Sequence, residues 1–251
     1  MSPEAVPTEV QAGMHLSILM PVYNERETVA AAIDQVLATS LPVDALELLV
    51  VDDGSTDGTR QVLESRSWAD NVRLLRHPGN RGKGAAIRTA LAEARGTHAA
   101  VLDADLEYDA RDYAQLLAPL RSGRAQVVFG ARGFQSHSAY GFWYVVGNKA
   151  VTLAANALYN SWVSDIMTCH KVMSTELWRS LVLREVGFAI EPEITARLLR
   201  RGVPIYDVPI RYTARSREAG KKLTAADGLR VLRTLIRCRI DRPRAADGRP
   251  G

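Results

Sequence analysis

Asp103, Asp105 and Glu107 stand at alternate positions directly after the apolar run His98-Ala99-Ala100-Val101-Leu102. Alternate side chains of an extended segment point to one side. The spacing therefore predicts three carboxylates facing one point where a strand stops. Carboxylates that close repel one another unless a cation sits among them. Hard oxygen ligands of this kind suit Mg²⁺ or Mn²⁺, with phosphate oxygens completing the shell. The chemistry expected is capture of a metal-chelated diphosphate. The plainer reading of the same triplet is a solvated turn ahead of a helix, where Asp and Glu are also common.

A trio of this sort needs a scaffold, and the surrounding pattern supplies one. Short, nearly all-apolar runs at Leu16–Val22, Leu46–Val51, Val72–Arg76, Ala99–Leu102 and Gln126–Phe129 read as strands buried on both faces of a parallel sheet. Helical patterns at Arg26–Thr39, Thr56–Ser65, Lys83–Ala94 and Ala110–Leu120 alternate with them. The fold class expected is α/β: a doubly wound, mostly parallel sheet flanked by helices. Ligands of such sheets bind outside the carboxyl ends of the strands. Five polar, turn-rich segments stand at those ends: Pro21–Glu25, Asp52–Gly58, His77–Gly84, the carboxylate triplet and Gly130–Gly133. Each is ordinary turn chemistry taken singly. Together they read as one ligand crevice.

The second half is less regular. A polar loop (Gly133–Gly141) is followed by a helix (Phe142–Tyr159) and a polar insert ending in an apolar pair (Asp165–Val172). Then come a helix at Glu191–Arg201, a short strand at Ile205–Ile210 and an amphipathic helix at Thr224–Ile240. With no internal repeat and no linker, the expectation is a single domain over residues 14–241, its donor half about 14–132 and its acceptor half about 133–241. Residues 1–13 and 242–251 read as disordered tails. The formal charge of +4 is too mild to favour a nucleic-acid partner. Cys169 and Cys238 make neither a metal-ligand pattern nor a disulfide framework, so a reducing compartment is expected. No apolar run is long enough to cross a bilayer as a helix, and no signal peptide opens the chain.

The motif order resembles a known family. Pro21-Val22-Tyr23-Asn24-Glu25, then Val51-Asp52-Asp53-Gly54-Ser55-Thr56-Asp57-Gly58-Thr59, then Asn80-Arg81-Gly82-Lys83-Gly84, then Asp103-Ala104-Asp105 are similar to the inverting family 2 glycosyltransferases of GT-A fold. Glu191-Pro192-Glu193-Ile194-Thr195 and the segment from Arg215 through Lys221, Lys222 and Leu223 resemble the polyprenyl-phosphate, or dolichol-phosphate, branch. The resemblance implies that Pro21, Tyr23 and Glu25 line a nucleoside pocket and that Asp53 and Asp52 bond the base or ribose. An Asx-type turn with a helix cap is the structural alternative for that pair. Lys83, in a glycine-rich turn opening a helix, would touch the donor, helped by the helix-start amides; a solvated lysine is the alternative. Asp103, with Ala104, would contact the donor. Asp105 and Glu107 would hold the Mg²⁺ or Mn²⁺, with Asp103 on the metal or the ribose. Relatives often carry Gln at the position of Glu107.

The implied acceptor is a lipid phosphate, whose second pKa lies at about 6. It is already anionic near neutral pH and needs no strong base, so the site's work is to hold two anions together. Arg132 is a candidate phosphate clamp. Arg215, Lys221 and Lys222 would close over the donor. An arginine expected in the helix near Tyr144–Asn148 is missing; Lys149 would substitute. Glu191 and Glu193 are second-tier acceptor candidates. Leu229, Leu232, Ile236 and Ile240 recur at helical spacing beside several arginines, which suits an anionic membrane surface; docking on the core is the alternative. The expected partners are a UDP- or GDP-linked sugar, a polyprenyl phosphate, the membrane surface through 224–240 and a small membrane protein. The expected location is cytoplasmic, at the inner face of the membrane. The rival within enzymes acts on a soluble or glycan hydroxyl and needs a base, for which Glu191, Glu193 or Asp165 must serve. A non-catalytic sugar-nucleotide-binding partner is the rival from another class.

Overall fold

The computed structural model describes residues 13–133, 142–213 and 225–241. Arg215, Lys221, Lys222, most of the Gly133–Gly141 loop and both expected tails lie outside them. The first half alternates as the patterning predicts: β1 (His15–Val22), α1 (Val29–Ala38), β2 (Ala45–Asp52), α2 (Thr59–Glu64), β3 (Val72–Arg76), α3 (Lys83–Glu93), β4 (His98–Val101), α4 (Tyr113–Arg121) and β5 (Val127–Arg132). The second half adds α5 (Phe142–Tyr159), β6 (Lys171–Ser174), α6 (Thr175–Ser180), α7 (Ile190–Arg200), β7 (Tyr206–Ile210) and α8 (Ala225–Ile240).

The seven strands form one sheet in the order β3-β2-β1-β4-β6-β5-β7. Only β6 runs against its neighbours β4 and β5; every other pairing is parallel. β6 and α6 are the elements the patterning does not contain. β6 is four residues long, begins at a lysine and overlaps the end of what reads as a polar insert.

Burial follows from the strand's two-residue period. Leu16, Ile18, Met20 and Val22 of β1 face the layer of α1 and α4, whereas Leu19 joins the layer of α3, α6 and α7. Burial of both faces fixes the register, since a one-residue slip would exchange the two sets. Val22, Asp52 and Arg76 end β1, β2 and β3 in register, so the polar loops that follow emerge together. Gly54 (φ +73°) holds the second of these loops against the third: a Cβ there would lie 2.4 Å from the Gly79 carbonyl carbon.

Candidate active site

The strand-end loops are bonded to each other before any ligand is considered. Asn24 donates its amide to Ser55 Oγ (3.0 Å) and accepts the Thr56 amide on Oδ1 (2.9 Å). Glu25 donates its amide to Thr59 Oγ1 at 2.9 Å. The Pro21–Glu25 and Asp52–Thr59 segments are thus one rigid rim, with Tyr23 exposed on it.

Asp52 and Asp53 are buried, and their carboxylates serve the chain. Asp52 accepts from the Ser55 amide (2.9 Å) and Arg60 Nε (3.0 Å). Burial pushes its pKa up, yet these bonds hold it below the ordinary carboxylate value. Asp53 accepts the Arg81 amide (2.9 Å), the Gly82 amide (2.7 Å) and His77 Nδ1 (2.6 Å). His77 Nε2 lies 2.9 Å from Thr89 Oγ1. Asp52 closes the turn that starts at its own position, without capping α2, and Asp53 fixes the 77–82 loop.

The glycine-rich turn before α3 differs from the expectation of an open anion cradle. Two amides of that turn go to Asp53, so the anion at this helix start is the protein's own carboxylate. The Gly84 amide goes to Val186 O at 2.7 Å. Gly82 and Gly84 admit another backbone: Cβ atoms there would lie 2.3 Å from Val186 O and 2.2 Å from Glu185 O. The 185–188 segment, a hundred residues away in sequence, therefore packs on the loop.

Lys83 is buried rather than solvated. Its ammonium donates to Asp103 Oδ2 (2.8 Å) and to Cys169 Sγ (3.0 Å). It also lies 2.9 Å from Glu191 Oε1, a charge contact off the hydrogen-bond axis. Glu191 Oε2 is ion-paired with Lys171, whose ammonium also reaches the Thr168 carbonyl. Lys83, Asp103, Glu191 and Lys171 make an electroneutral chain, fully buried at its Glu191–Lys171 end. Burial alone would push the Lys83 ammonium down, but the Asp103 and Glu191 carboxylates raise it well above the usual lysine value. Asp103 is held below the usual carboxylate range by Lys83 and the Cys169 thiol, against the opposing effect of burial. Burial and Asp103 raise the Cys169 thiol, which stays protonated and donates to Asp103 Oδ2 at 2.7 Å. Glu193 is enclosed too: it accepts from the Arg184 (2.9 Å) and Glu185 (2.7 Å) amides and from Arg197 (2.7 Å).

The carboxylate trio is corrected in its geometry. β4 stops at Val101, and the chain turns through 104–107 with Leu106 at φ +60°. Alternation therefore fails across the triplet. Asp103 points at Lys83 and Cys169; Asp105 Oδ1 accepts the Glu107 amide (3.0 Å); Glu107 Oε2 accepts from the Tyr212 hydroxyl (2.6 Å). Ala104 is buried. Among the described residues no three His, Cys, Asp or Glu side chains gather to hold a metal ion. A nucleotide-bound Mg²⁺ or Mn²⁺ takes one or two protein carboxylates and fills its shell with phosphate oxygens and water, so two carboxylates such as Asp103 and Asp105 would suffice without a third.

Arg132 ends β5 and is buried, its fork bonded to Asp165 through Nε (2.6 Å) and Nη2 (3.0 Å). Asn148 of α5 donates to Asp165 Oδ1 at 3.3 Å. Burial pushes Asp165 up, but Arg132 and Asn148 hold it below the usual value. Lys149 is exposed on α5. Sequence reading misses Cys169, Phe188 and Tyr212, because each enters through a contact distant in sequence; the Phe188 ring lies 5.9 Å from the Lys83 ammonium. A cavity lined by His98, Gln126, Ser174 and Glu176 opens elsewhere, where β4 begins and β6 ends.

The model of glycosyl transferase family 2 matches residues 17–180. The chain belongs to this family. It is 30% identical over 224 residues to the low-salt glycan biosynthesis hexosyltransferase Agl6 of Haloferax volcanii, covering 88% of this chain and 53% of that protein. It is 30% identical to the glycosyltransferase AglJ of the same organism, covering 79% of this chain and 63% of that protein. The dolichyl-phosphate beta-glucosyltransferase of Drosophila melanogaster is 27% identical, over 86% of this chain and 71% of its own. The chain thus spans between half and two-thirds of the length of the Haloferax relatives. Among solved structures, glucosyl-3-phosphoglycerate synthase of Mycobacterium tuberculosis with Mn²⁺, UDP and glucosyl-3-phosphoglycerate superposes with a TM-score of 0.69 at 20% identity, over 97% of this chain and 88% of that one. The same enzyme with Mg²⁺ and UDP gives 0.66 at 20% identity, over 93% and 82%. The fold of this family 2 chain is GT-A.

His170 of this family 2 domain makes a separate prediction. It is fully buried, with its ring 4.7 Å from that of Tyr108 and 4.6 Å from that of Tyr113. Burial lowers its pKa from 6.5 to about 4. Between those values the unfolded chain binds the extra proton, so stability is full above pH 6.5 and falls as pH drops toward 4. The loss is about 3 kcal/mol. Urea unfolding of His170→Phe between these pH values should show that much less acid sensitivity than the parent; an equal slope would contradict the assignment.

Proposed function

We propose that this protein transfers a sugar, with inversion, from a nucleoside-diphosphate sugar to a polyprenyl phosphate. The observation that carries the choice of acceptor is the state of the three candidate bases. Asp165 is ion-paired with Arg132, Glu191 with Lys171 and Glu193 with Arg197, and all three are buried. A hydroxyl acceptor would have to surrender its proton to one of them. A phosphate acceptor is anionic already and asks only for cations and position. The name of the Drosophila relative points to the same acceptor class. A soluble acceptor is the second reading, favoured by the likeness to an enzyme solved with glucosyl-3-phosphoglycerate.

In this reading Tyr23, Pro21 and Glu25 on the rim receive the nucleoside, while Asp52 and Asp53 hold the loops that shape its pocket. Asp105 and Asp103 would hold Mg²⁺ or Mn²⁺ on the diphosphate, with Lys83 paired to Asp103. The ion would neutralise charge on the departing diphosphate. Arg132, steadied by Asp165, and Lys149 lie toward the acceptor; Arg215, Lys221 and Lys222 are proposed to close over the donor. Among the described residues no helix is long and apolar enough to cross a membrane. A lipid acceptor would bring the protein to the cytoplasmic membrane face.

The test is incubation of the protein with membranes and radiolabelled UDP- and GDP-sugars, followed by lipid extraction. Chelator-sensitive label in the organic phase, carrying the inverted anomer, is expected. Label confined to a water-soluble product would favour the second reading, and a retained anomer would exclude in-line displacement.

A further inference from the structure

α5 and α8 pack side by side, with the Tyr159 hydroxyl donating to the Leu235 carbonyl at 2.8 Å. Both helices carry an apolar stripe on the side turned away from the core. α8 buries Val231, Leu235 and Cys238 against the core. Its opposite side carries Leu229, Leu232, Ile236 and Ile240, of which Leu229 and Ile240 are 68% and 73% exposed. At 100° per residue these four fall within about 80° of arc. α5 has a similar outer stripe over a largely polar inner face. Asn148, Thr152, Ala155 and Asn156 face inward, and Val146, Ala150, Leu153 and Ala157 face outward in one stripe. Trp162, just past the end of α5, is 77% exposed. A helix that merely docks on a core turns polar residues to water; these two also turn valine, leucine and isoleucine outward.

The charges beside the stripes have one sign. α5 contains no acidic residue and α8 contains only Asp227. Lys149, Arg230, Arg233 and Arg239 are exposed next to the apolar stripes. A second copy of the chain is a poor occupant, because a two-fold interface would set this cationic face against itself. An anionic surface with an apolar interior matches both features.

We propose that the joined outer faces of α5 and α8, with Trp162, bed into the surface of an anionic phospholipid bilayer. The platform is wider than the single C-terminal helix. α5 also ties it to the crevice, since Asn148 on its inner face bonds the Asp165 that holds Arg132. Presentation of a lipid-borne phosphate at the end of β5 follows from this geometry and rests on the acceptor reading above; the docking itself does not.

The test is flotation of the full chain with vesicles of phosphatidylcholine alone or mixed with phosphatidylglycerol. Binding is expected to the mixed vesicles and to weaken with salt. Arg233→Gln and Arg239→Gln should each weaken it roughly fivefold. Leu153→Gln/Ile236→Gln should weaken it by at least about tenfold, with an unchanged unfolding midpoint because both side chains are exposed. Vesicle binding that is indifferent to these substitutions would overturn the proposal. So would a dimer in sedimentation velocity that the double variant dissociates. Flotation needs neither sugar nucleotide nor acceptor, so its failure is distinguishable from a failure of the acceptor reading.

Discussion

Replacing Asp105 with alanine should lower sugar transfer by on the order of 10³-fold while barely moving the unfolding transition. The two effects separate because a turn hydrogen bond is worth far less than charge stabilisation in a transition state. Asp105 Oδ1 accepts the Glu107 amide at a partly exposed turn. Losing such a bond costs about 1 kcal/mol. A group that stabilises charge in the transition state is worth about 3–4 kcal/mol of barrier, which is the 10²–10³-fold range seen on removing one such group. Asp105→Asn keeps the turn bond and removes the charge, so it should be nearly as inactive as the alanine variant. Initial rates with saturating Mn²⁺ and thermal unfolding of all three proteins make the check. Activity within tenfold of the parent in Asp105→Asn would remove the carboxylate from the chemistry.

Replacing Lys83 with methionine should act in the opposite order, on stability first. The methionine fills similar volume but leaves the half-buried Asp103 and the buried Glu191 without their shared cation. Breaking a buried pair by removing one partner costs about 3–5 kcal/mol, a large share of the roughly 5–15 kcal/mol that holds a domain folded. The depressed pKa of Asp103 means that its contribution is present at neutral pH and fades only as pH falls below the ordinary carboxylate value. Removing the second charge should recover part of the loss, so Lys83→Met/Asp103→Asn is expected to be more stable than the two single losses summed. Urea denaturation of the four proteins measures the coupling; losses that add to within about 0.5 kcal/mol would mean that the residues do not interact.

Lys83 also shows where sequence reading reaches its end. Its glycine neighbours carry the expected meaning, close backbone approach, but the approaching partner is the 185–187 backbone rather than a phosphate. Nothing local in Gly82-Lys83-Gly84 names that partner. The strands of the first half were legible because burial on both faces leaves nearly continuous apolar runs, and their carboxyl ends marked the crevice. β6 was not, because a four-residue strand opening with a buried lysine looks like a polar loop until Glu191 supplies the counter-charge. The acidic triplet was misread as a shape: a left-handed Leu106 has no sequence signal, and it breaks the alternation that would have aimed Glu107 with its neighbours. Cys169 was passed over as a lone thiol, since its contact with Asp103 spans 66 residues.

The most direct measurement is a crystal structure with Mn²⁺ and the nucleoside diphosphate that stabilises the protein best, the ion located by its anomalous signal. The expected result is a single manganese within ligand distance, about 2.1 Å, of an Asp105 carboxylate oxygen and in contact with the diphosphate, with Asp103 still paired to Lys83. Manganese bound to the diphosphate with neither Asp103 nor Asp105 beside it would contradict the proposed site.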